Sequence, residues 1–386
     1  MRTQVAIVGA GPAGLVLSHL LHREGIDSVV LEDRDRAYVE HRVRAGVLEQ
    51  GTVELLERIG MADRLHREGI VHHGIEFRFE GHGHRIPLSD LTGGRAITIY
   101  GQQEVVKDLI RGRLDAGGEI LFEVADVSLH DLTTSSPAVR FRHAGQAREL
   151  RCDVVAGCDG FHGVSRDAIP PGVLTVFQRD YPFAWLGILA AVPPSTSELI
   201  YAYHERGFAL HSLRSPEVSR LYIQVRPDDE IERWPDERIW DELHRRLARG
   251  GGWSLREGPV MEKGIAALRS FVVEPMHYGR LFLAGDAAHI VPATGAKGLN
   301  LAVADVRILA EAITAWYRTG RTDLLDAYSA TCLRRVWRAE HFSWWMTTML
   351  HRHEGDDFQH RLQLAQLQYV CSSTAAATSL AENYVG

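Results

Sequence analysis

Gln4-Val5-Ala6-Ile7-Val8-Gly9-Ala10-Gly11-Pro12-Ala13-Gly14 is the stretch whose reading decides the fold. Residues 4–8 are short, apolar and β-rich, which predicts a buried strand, while Leu17, Leu20 and Leu21 recur at helical spacing within 13–23. Residues 27–31 then predict a second strand. A strand, a glycine-rich turn and a helix in that order give a Gly-x-Gly-x-x-Gly pattern its weight. Gly9 permits the tight turn, Gly11 lets backbone approach a pyrophosphate, and Gly14 allows the helix to pack closely on the strand. The helix N-terminus offers N–H groups and partial positive charge to phosphates. Glu32, just past the second strand, is placed to accept hydrogen bonds from ribose hydroxyls. Together these residues predict a dinucleotide site on a parallel α/β sheet, without deciding between FAD and NAD.

Working outward, residues 153–156, which lead into Cys158-Asp159-Gly160, and 281–284, which lead into Gly285-Asp286, read as further strands stopping at polar turns. Between them, 184–191, 199–204, 208–212 and 220–225 are short strand-like runs broken by turn residues, the texture of an antiparallel sheet in a second domain. Pro193-Pro194-Ser195-Thr196-Ser197 reads as a turn rather than a linker. From Leu301 the pattern is helical, including 308–316 and 329–349, and Phe342, Trp344 and Trp345 predict a packed or interfacial surface.

Composition narrows the function classes. A chain of 386 residues, 45% hydrophobic, is long enough for about two or three domains. Its net charge of -7, without a long like-charge block, supports no nucleic-acid footprint, so a small molecule is the expected partner. Cys152, Cys158, Cys332 and Cys371 form no Cys-x-x-Cys pair, which fits reduced thiols and no metal site. No run approaches the roughly 20 apolar residues of a membrane span, and only residues 1–3 precede the first strand, so a cytoplasmic protein without membrane attachment is expected.

Gly285-Asp286-Ala287-Ala288-His289 is followed by Pro292, Gly295, Ala296, Lys297, Gly298, Leu299 and Asn300. An aspartate at a strand end can bind a polyol chain, and a glycine-rich loop entering a helix can set N–H groups beside a flavin ring. With the N-terminal fingerprint and Cys158-Asp159-Gly160 in this order, the chain resembles the class A FAD-dependent aromatic hydroxylases. The resemblance implies one FAD, held by Gly9, Gly11, Gly14, Arg42 and Asp159, with Glu32 on the adenosine ribose and Asp286 on the ribityl chain. It further implies Arg44 near the pyrophosphate, Gln102 and Lys297 near the cofactor, and Leu299 and Asn300 on the isoalloxazine. The domain division it implies is a Rossmann-like FAD-binding domain over 1–180, with 72–97 joining the substrate domain. An antiparallel β substrate domain over 181–268, a return to the FAD domain over 269–349, and a C-terminal helical region over 350–386 complete it.

Residues 42–50, Tyr201, Ser212-Leu213-Arg214, Arg220, 281–300 and Glu382-Asn383-Tyr384 resemble the branch of this class that converts 4-hydroxybenzoate to 3,4-dihydroxybenzoate. That branch implies Arg214 paired with the carboxylate, aided by Ser212 and Tyr222, with Arg220 also in the pocket. It implies Tyr201 on the phenol oxygen, a proton path through Tyr384 and His72, and the residue 293 carbonyl on the substrate hydroxyl. Trp185, Leu199 and Leu210 become apolar walls. Tyr38, Arg42, Arg44, His162 and Arg269 are implied for NADH or NADPH, dioxygen is the co-substrate, and a homodimer is expected. Taken singly, each residue has a blander reading. Arginine and serine alternating on a strand usually make a solvated face, Tyr201 and Trp185 would pack a core, His72 would be a satisfied structural histidine, and Asp286 a helix cap. A 3-substituted 4-hydroxybenzoate, such as an amino or hydroxy derivative, is the rival substrate, and a non-catalytic flavin protein is the rival class.

Two departures matter. Pro292-Ala293 stands where the family commonly has consecutive prolines, so this loop lacks a ring that fixes φ. Asp33-Arg34-Asp35-Arg36-Ala37-Tyr38-Val39-Glu40 mixes both signs, and its carboxylates disfavour an added 2′-phosphate, so NADH is expected to serve at least as well as NADPH.

Overall fold

Strands Val5–Val8, Ser28–Leu31, Glu119–Leu121, Val154–Gly157 and Leu281–Leu283 run parallel in a six-stranded sheet, with His277–Tyr278 added antiparallel at one edge. The computed structural model describes residues 1–43 and 46–386, so Arg44 lies outside the described residues. Val5–Val8 pairs in register with Val154–Gly157 on one side and Ser28–Leu31 on the other, and every residue of the three is buried. That is why these strands read as unbroken apolar runs rather than alternating ones. Helices Pro12–Arg23 and Gly298–Thr319 pack together on this sheet. Parallel strands deliver their following turns to one edge, so residues 9–14, Glu32, 159–160 and 285–286 all emerge there.

The glycines of the first turn divide their tasks as the spacing implies. Gly9 has φ +104°, and a Cβ there would lie 2.3 Å from the Cys158 carbonyl oxygen. A Cβ on Gly14 would lie 2.0 Å from the Gly9 carbonyl oxygen. Gly11 is different, since a Cβ there meets no atom within 4 Å. The protein itself forbids side chains at 9 and 14, whereas position 11 keeps space open to something outside.

The second sheet has eight strands, in the order 289–290, 260–274, 175–190, 219–225, 209–213, 199–202, 75–79 and 82–86. One face buries Ala184, Leu186, Ile188, Ile200, Leu221 and Ile223 against Trp240 and Leu243 of helix Asp236–Arg246. Strand Thr175–Ala190 begins nine residues before the apolar run that announces it. Its first six residues are exposed and pair only with 269–274, so neither face meets a core and no alternation marks them. A three-stranded antiparallel unit, Ala125–His130, Ala138–His143 and Gln146–Arg151, is likewise unannounced by pattern. Helices Tyr328–Leu350, Asp357–Ser372 and Thr374–Val385 close the chain, and no helix among the described residues is long and apolar enough to cross a membrane.

Tyr328–Leu350 carries a buried carboxyl, Glu340, whose Oε2 accepts from Ser270 Oγ at 2.8 Å while Oε1 has no hydrogen-bond partner. Burial raises its pKa from the ordinary 4.5 to about 7, against the opposing pull of Ser270 and His289. A raised carboxyl pKa means that the folded chain keeps a proton that the unfolded chain has released. The stability it contributes is full below pH 4.5 and is lost as pH rises through about 7. Glu340→Gln, which puts an amide nitrogen at the unpaired position, should match the parent near pH 5 and exceed its unfolding free energy at pH 8 by up to ~3 kcal/mol. Denaturant titrations giving both proteins the same pH dependence would contradict this.

Candidate active site

Period-two alternation gathers the second sheet's polar residues on the face away from Trp240. Phe77, Tyr201, Leu210, Tyr222 and Gly187 are lateral partners across five successive strands. Two residues along, Ser212 pairs with Arg220, and two residues the other way Trp185 pairs with Gln224. Gly187 makes room for this row, because a Cβ there would lie 3.0 Å from Arg220 Nη2 and 3.3 Å from Tyr222 Cε1. Arg214 follows strand Ala209–Leu213 directly and donates through Nη2 to Gln103 Oε1, on the first turn of helix Gln102–Asp115. Burial lowers the Arg214 pKa to about 10, so it stays a cation at neutral pH. Gln103 holds the guanidinium, a role that sequence reading gave to no residue, and the Gln-Gln pair at a helix start was the only signal available for it.

At the other end of the row, the Tyr201 hydroxyl lies 2.5 Å from the Tyr384 hydroxyl and donates to the Thr294 carbonyl at 3.3 Å. With Tyr201 donating to Thr294, the Tyr384 hydroxyl donates to Tyr201. Both rings are buried, and burial pushes both phenols above the ordinary value of 10. Arg214 stands four residues beyond Leu210, the lateral partner of Tyr201, a run of about 13 Å at strand rise. Leu199 and Leu210 are buried beside them, and Trp185 packs its ring 4.8 Å from Tyr222 and 5.2 Å from Phe208. His72, on strand Ile70–His72, is fully buried with neither ring nitrogen hydrogen-bonded, and burial lowers its pKa to about 4 against the pull of Glu198. His72 therefore does not join the Tyr201–Tyr384 pair by a direct hydrogen bond.

Pro292 leads into a tight turn, Ala293–Gly295, closed by Ala296 at φ +54°. The Ala293 carbonyl accepts from Ala296 N at 3.0 Å, which leaves a second lone pair, and the Ala293 side chain is exposed. Lys297 is engaged inside the protein: its Nζ donates to Glu49 Oε1 at 2.6 Å and to the Tyr384 carbonyl at 3.1 Å. These contacts anchor Lys297 within the protein, and Glu49 is a partner that sequence reading did not single out. Asn300 is also spent on the protein, taking Glu49 N and Thr52 Oγ1 on Oδ1 and giving Nδ2 to the carbonyls of Val47 and Ala296. Helix Gly298–Thr319 starts here with no acidic residue in its first turn, so its N–H groups are available to electron-rich partners beside Leu299.

On the parallel sheet's edge, Glu32 Oε2 accepts from Ala10 N at 2.8 Å, which draws the carboxylate over the glycine turn. Asp159 Oδ2 accepts from Ser165 N at 2.9 Å, and its Oδ1 is buried without a hydrogen-bond partner. Asp286 is exposed on the turn Gly285–Ala287. Two further groups form at the surface. Arg42 lies 5.9 Å from the centre of the Tyr38 ring, and Phe161 carries His162 at 5.0 Å and Arg269 at 5.0 Å. The arrangement offers a phosphate-ready turn, a buried guanidinium with Arg220 nearby at one pole of an apolar slot and a neutral phenol pair at the other.

Comparison with known proteins agrees with that chemistry. Residues 2–343 match the FAD binding domain family. Over its whole length the chain is 51% identical to the p-hydroxybenzoate hydroxylase of Acinetobacter baylyi, spanning 96% of that protein. It is 24% identical, over 87% of the chain and 75% of the relative, to an FAD-dependent monooxygenase of Penicillium thymicola. Among solved structures, p-nitrophenol 4-monooxygenase from Pseudomonas putida DLL-E4 superimposes with a TM-score of 0.84, covering 100% of this chain and 99% of that one. At 22% identity, that likeness speaks for the fold. The fingerprint turn, the two sheets and a full-length relative at 51% identity place this chain in the class A FAD-dependent aromatic hydroxylases, enzymes that use NAD(P)H and dioxygen.

Proposed function

We propose that the chain hydroxylates 4-hydroxybenzoate at C3 to give 3,4-dihydroxybenzoate. The observation that carries this is the buried Tyr201–Tyr384 hydroxyl pair on the same sheet face that ends at Arg214. Arg214 takes the carboxylate, with Ser212 and Tyr222 adding hydrogen bonds and Arg220 contributing positive charge nearby. Tyr201 donates to the phenol oxygen. Burial keeps both tyrosines protonated at neutral pH, so they remain hydrogen-bond donors as the phenol oxygen ionises. The resulting phenolate makes its ortho carbon nucleophilic, while the proton leaves through Tyr201, Tyr384 and His72 toward solvent. The free lone pair of the Ala293 carbonyl accepts the substrate hydroxyl, and Trp185, Leu199 and Leu210 exclude water.

FAD fits the residues present: Gly11 leaves space at the head of helix Pro12–Arg23, and Asp159 Oδ1 is a buried acceptor without a protein partner. When bound, it supplies the electrons taken from NAD(P)H and activates dioxygen. Glu32 serves the adenosine ribose, Asp286 the ribityl chain, and Gln102, Arg42 and Leu299 line the remainder. In this reading residues 1–180 and 269–349 form the FAD domain, 181–268 with 72–97 form the substrate domain, and 350–386 form the helical end. The protein works in the cytoplasm as a homodimer. Phe358, Leu362 and Tyr369, exposed by 76%, 49% and 60% on helix Asp357–Ser372, lie on one stripe suited to a second copy.

Tyr38, Arg42, His162 and Arg269 hold the nicotinamide cofactor. Asp35 is committed to capping helix Arg36–His41 through Tyr38 N at 2.7 Å, and Arg36 pairs with Glu40 at 2.6 Å. With Arg34 also 3.5 Å from Asp33, the segment has little positive charge to spare for a 2′-phosphate.

Two measurements test this reading. Arg214→Gln should weaken 4-hydroxybenzoate binding by at least about thirtyfold. Tyr201→Phe should leave affinity within about threefold yet lower hydroxylation by about a hundredfold, with the phenolate absorbance of bound substrate lost at neutral pH. Equal binding by Arg214→Gln, or phenolate persisting in Tyr201→Phe, refutes the assignment. Separately, steady-state kcat/KM with NADH should equal or exceed that with NADPH, and a strong NADPH preference would overturn the coenzyme reading.

A further inference from the structure

Helix Tyr328–Leu350 carries Ser343 and Thr347, and His351 follows as its C-terminal cap. Spaced by four residues, the three lie on one face, and each is 0% exposed. Buried polar groups in a packed interface cost free energy unless they are partnered, so such a stripe needs a reason. Its first part packs on the loop after Pro292, where Thr347 is hydrogen-bonded and Ser343 Oγ has no hydrogen-bond partner. Thr347 Oγ1 lies 2.9 Å from Thr294 Oγ1, and a Cβ on Gly295 would lie 2.3 Å from Ser343 Oγ. Thr294 in turn offers its carbonyl to the Tyr201 hydroxyl.

The last part of the stripe serves the opposite wall. Trp185 Nε1–H donates to His351 Nε2 at 2.6 Å. Indole is a donor only, so Nε2 must be bare and the ring proton must sit on Nδ1, which donates to the Thr347 carbonyl at 2.9 Å. Phe183 and Phe208 stack on the imidazole at 4.5 Å and 4.6 Å, which fixes its plane. Burial lowers the His351 pKa to about 3, so the ring stays neutral at any working pH. The indole it holds packs 4.8 Å from Tyr222.

We propose that His351 is a positioning residue for the aromatic substrate: by accepting the Trp185 N–H it sets the indole plane against Tyr222, and through Thr347 it registers that wall with the Tyr201 end of the pocket. A flat ring able to stack between two phenylalanines and also accept one hydrogen bond is a description that imidazole meets and aliphatic or charged side chains do not. The consequence is the angle at which the substrate ring is presented, and therefore the share of NAD(P)H oxidation that ends in hydroxylated product. This inference rests on the hydroxylase reading given above.

His351→Phe keeps a flat ring but leaves the Trp185 N–H unpaired, His351→Gln restores an acceptor, and Trp185→Phe removes the donor. The expected result for His351→Phe is about tenfold weaker 4-hydroxybenzoate binding and less product per NAD(P)H oxidised, with FAD per chain unchanged. His351→Gln should recover part of the loss, the part due to the hydrogen bond, and in the Trp185→Phe background His351→Phe should add little. Full affinity and product ratio in His351→Phe, or equal losses in both backgrounds, overturn the proposal. Should His351→Phe fail to fold, Trp185→Phe reads the same hydrogen bond, and a normal product ratio there overturns it. A parent enzyme that does not bind 4-hydroxybenzoate defeats the substrate reading instead. In that event, ultraviolet resonance Raman difference spectra of parent minus Trp185→Phe report the indole N–H, and lack of a strongly hydrogen-bonded band defeats the His351 inference alone.

Discussion

Lys297 and Glu49 meet at 2.6 Å with both side chains buried, and distant parts of the chain hang from that contact. The same ammonium donates to the Tyr384 carbonyl, and Arg335 binds the second oxygen of Glu49 at 2.6 Å. The backbone N–H of Glu49 donates to Asn300, which opens the helix at 298. Each carboxylate oxygen thus has its own cation, and the ammonium also faces the Phe342 and Tyr384 rings at 5.2 Å and 5.8 Å. Deleting Glu49 would strand the buried Lys297 ammonium at a cost of about 3–5 kcal/mol, and deleting Lys297 would remove the donor to the Tyr384 carbonyl. The C-terminal helix would lose its tether, and with it the placement of the hydroxyl that completes the phenol pair.

Outside the pocket, charge is buried and paired; inside it, the groups are held neutral. Burial raises Tyr201 and Tyr384 and lowers His72 and His351, so each is kept in its uncharged form. Arg214 remains cationic even after burial lowers it to about 10. In the proposed reading, an aromatic acid entering such a slot is oriented chiefly by one electrostatic term, its carboxylate on the guanidinium. The far end is left with hydroxyl donors able to follow a phenol as it ionises, without a fixed charge that would compete for the proton.

Much of this was legible in sequence because the governing constraints are local. Gly9 and Gly14 are dictated by approach distances within one turn, and the row of Tyr201, Leu210 and Tyr222 follows from period-two alternation once the strands pair. The resemblance to the hydroxylase class supplied the pairing of Tyr201 with Tyr384, which alternation alone could not, since the two are 183 residues apart. What stayed hidden is held by contacts with no periodic signature. Gln103 differs from Gln102 only by the direction a helix start gives it, and Glu49 is one acid among many until Lys297 is brought to it. His351 caps a helix whose other face looks like ordinary packing. The exposed half of strand Thr175–Ala190 was invisible for the opposite reason, that it faces no core on either side.

The turn that carries Asp286, proposed for the ribityl chain, is held from behind by the fold. Asp305, buried in helix Gly298–Thr319, accepts from Gly285 N at 3.0 Å and from His289 Nε2 at 2.6 Å, so both ends of the turn that displays Asp286 are tied to one carboxylate. Burial works against a charged His289, yet Asp305 raises its pKa above the ordinary value, with Asp286 and Glu340 adding to the pull. The turn is therefore fixed by an ion pair that lies within the protein and does not need the cofactor to form it. The same helix begins beside Leu299 and carries Asp305 less than two turns later, so one rigid element sets both the N-terminus proposed for the flavin and the turn proposed for its polyol chain.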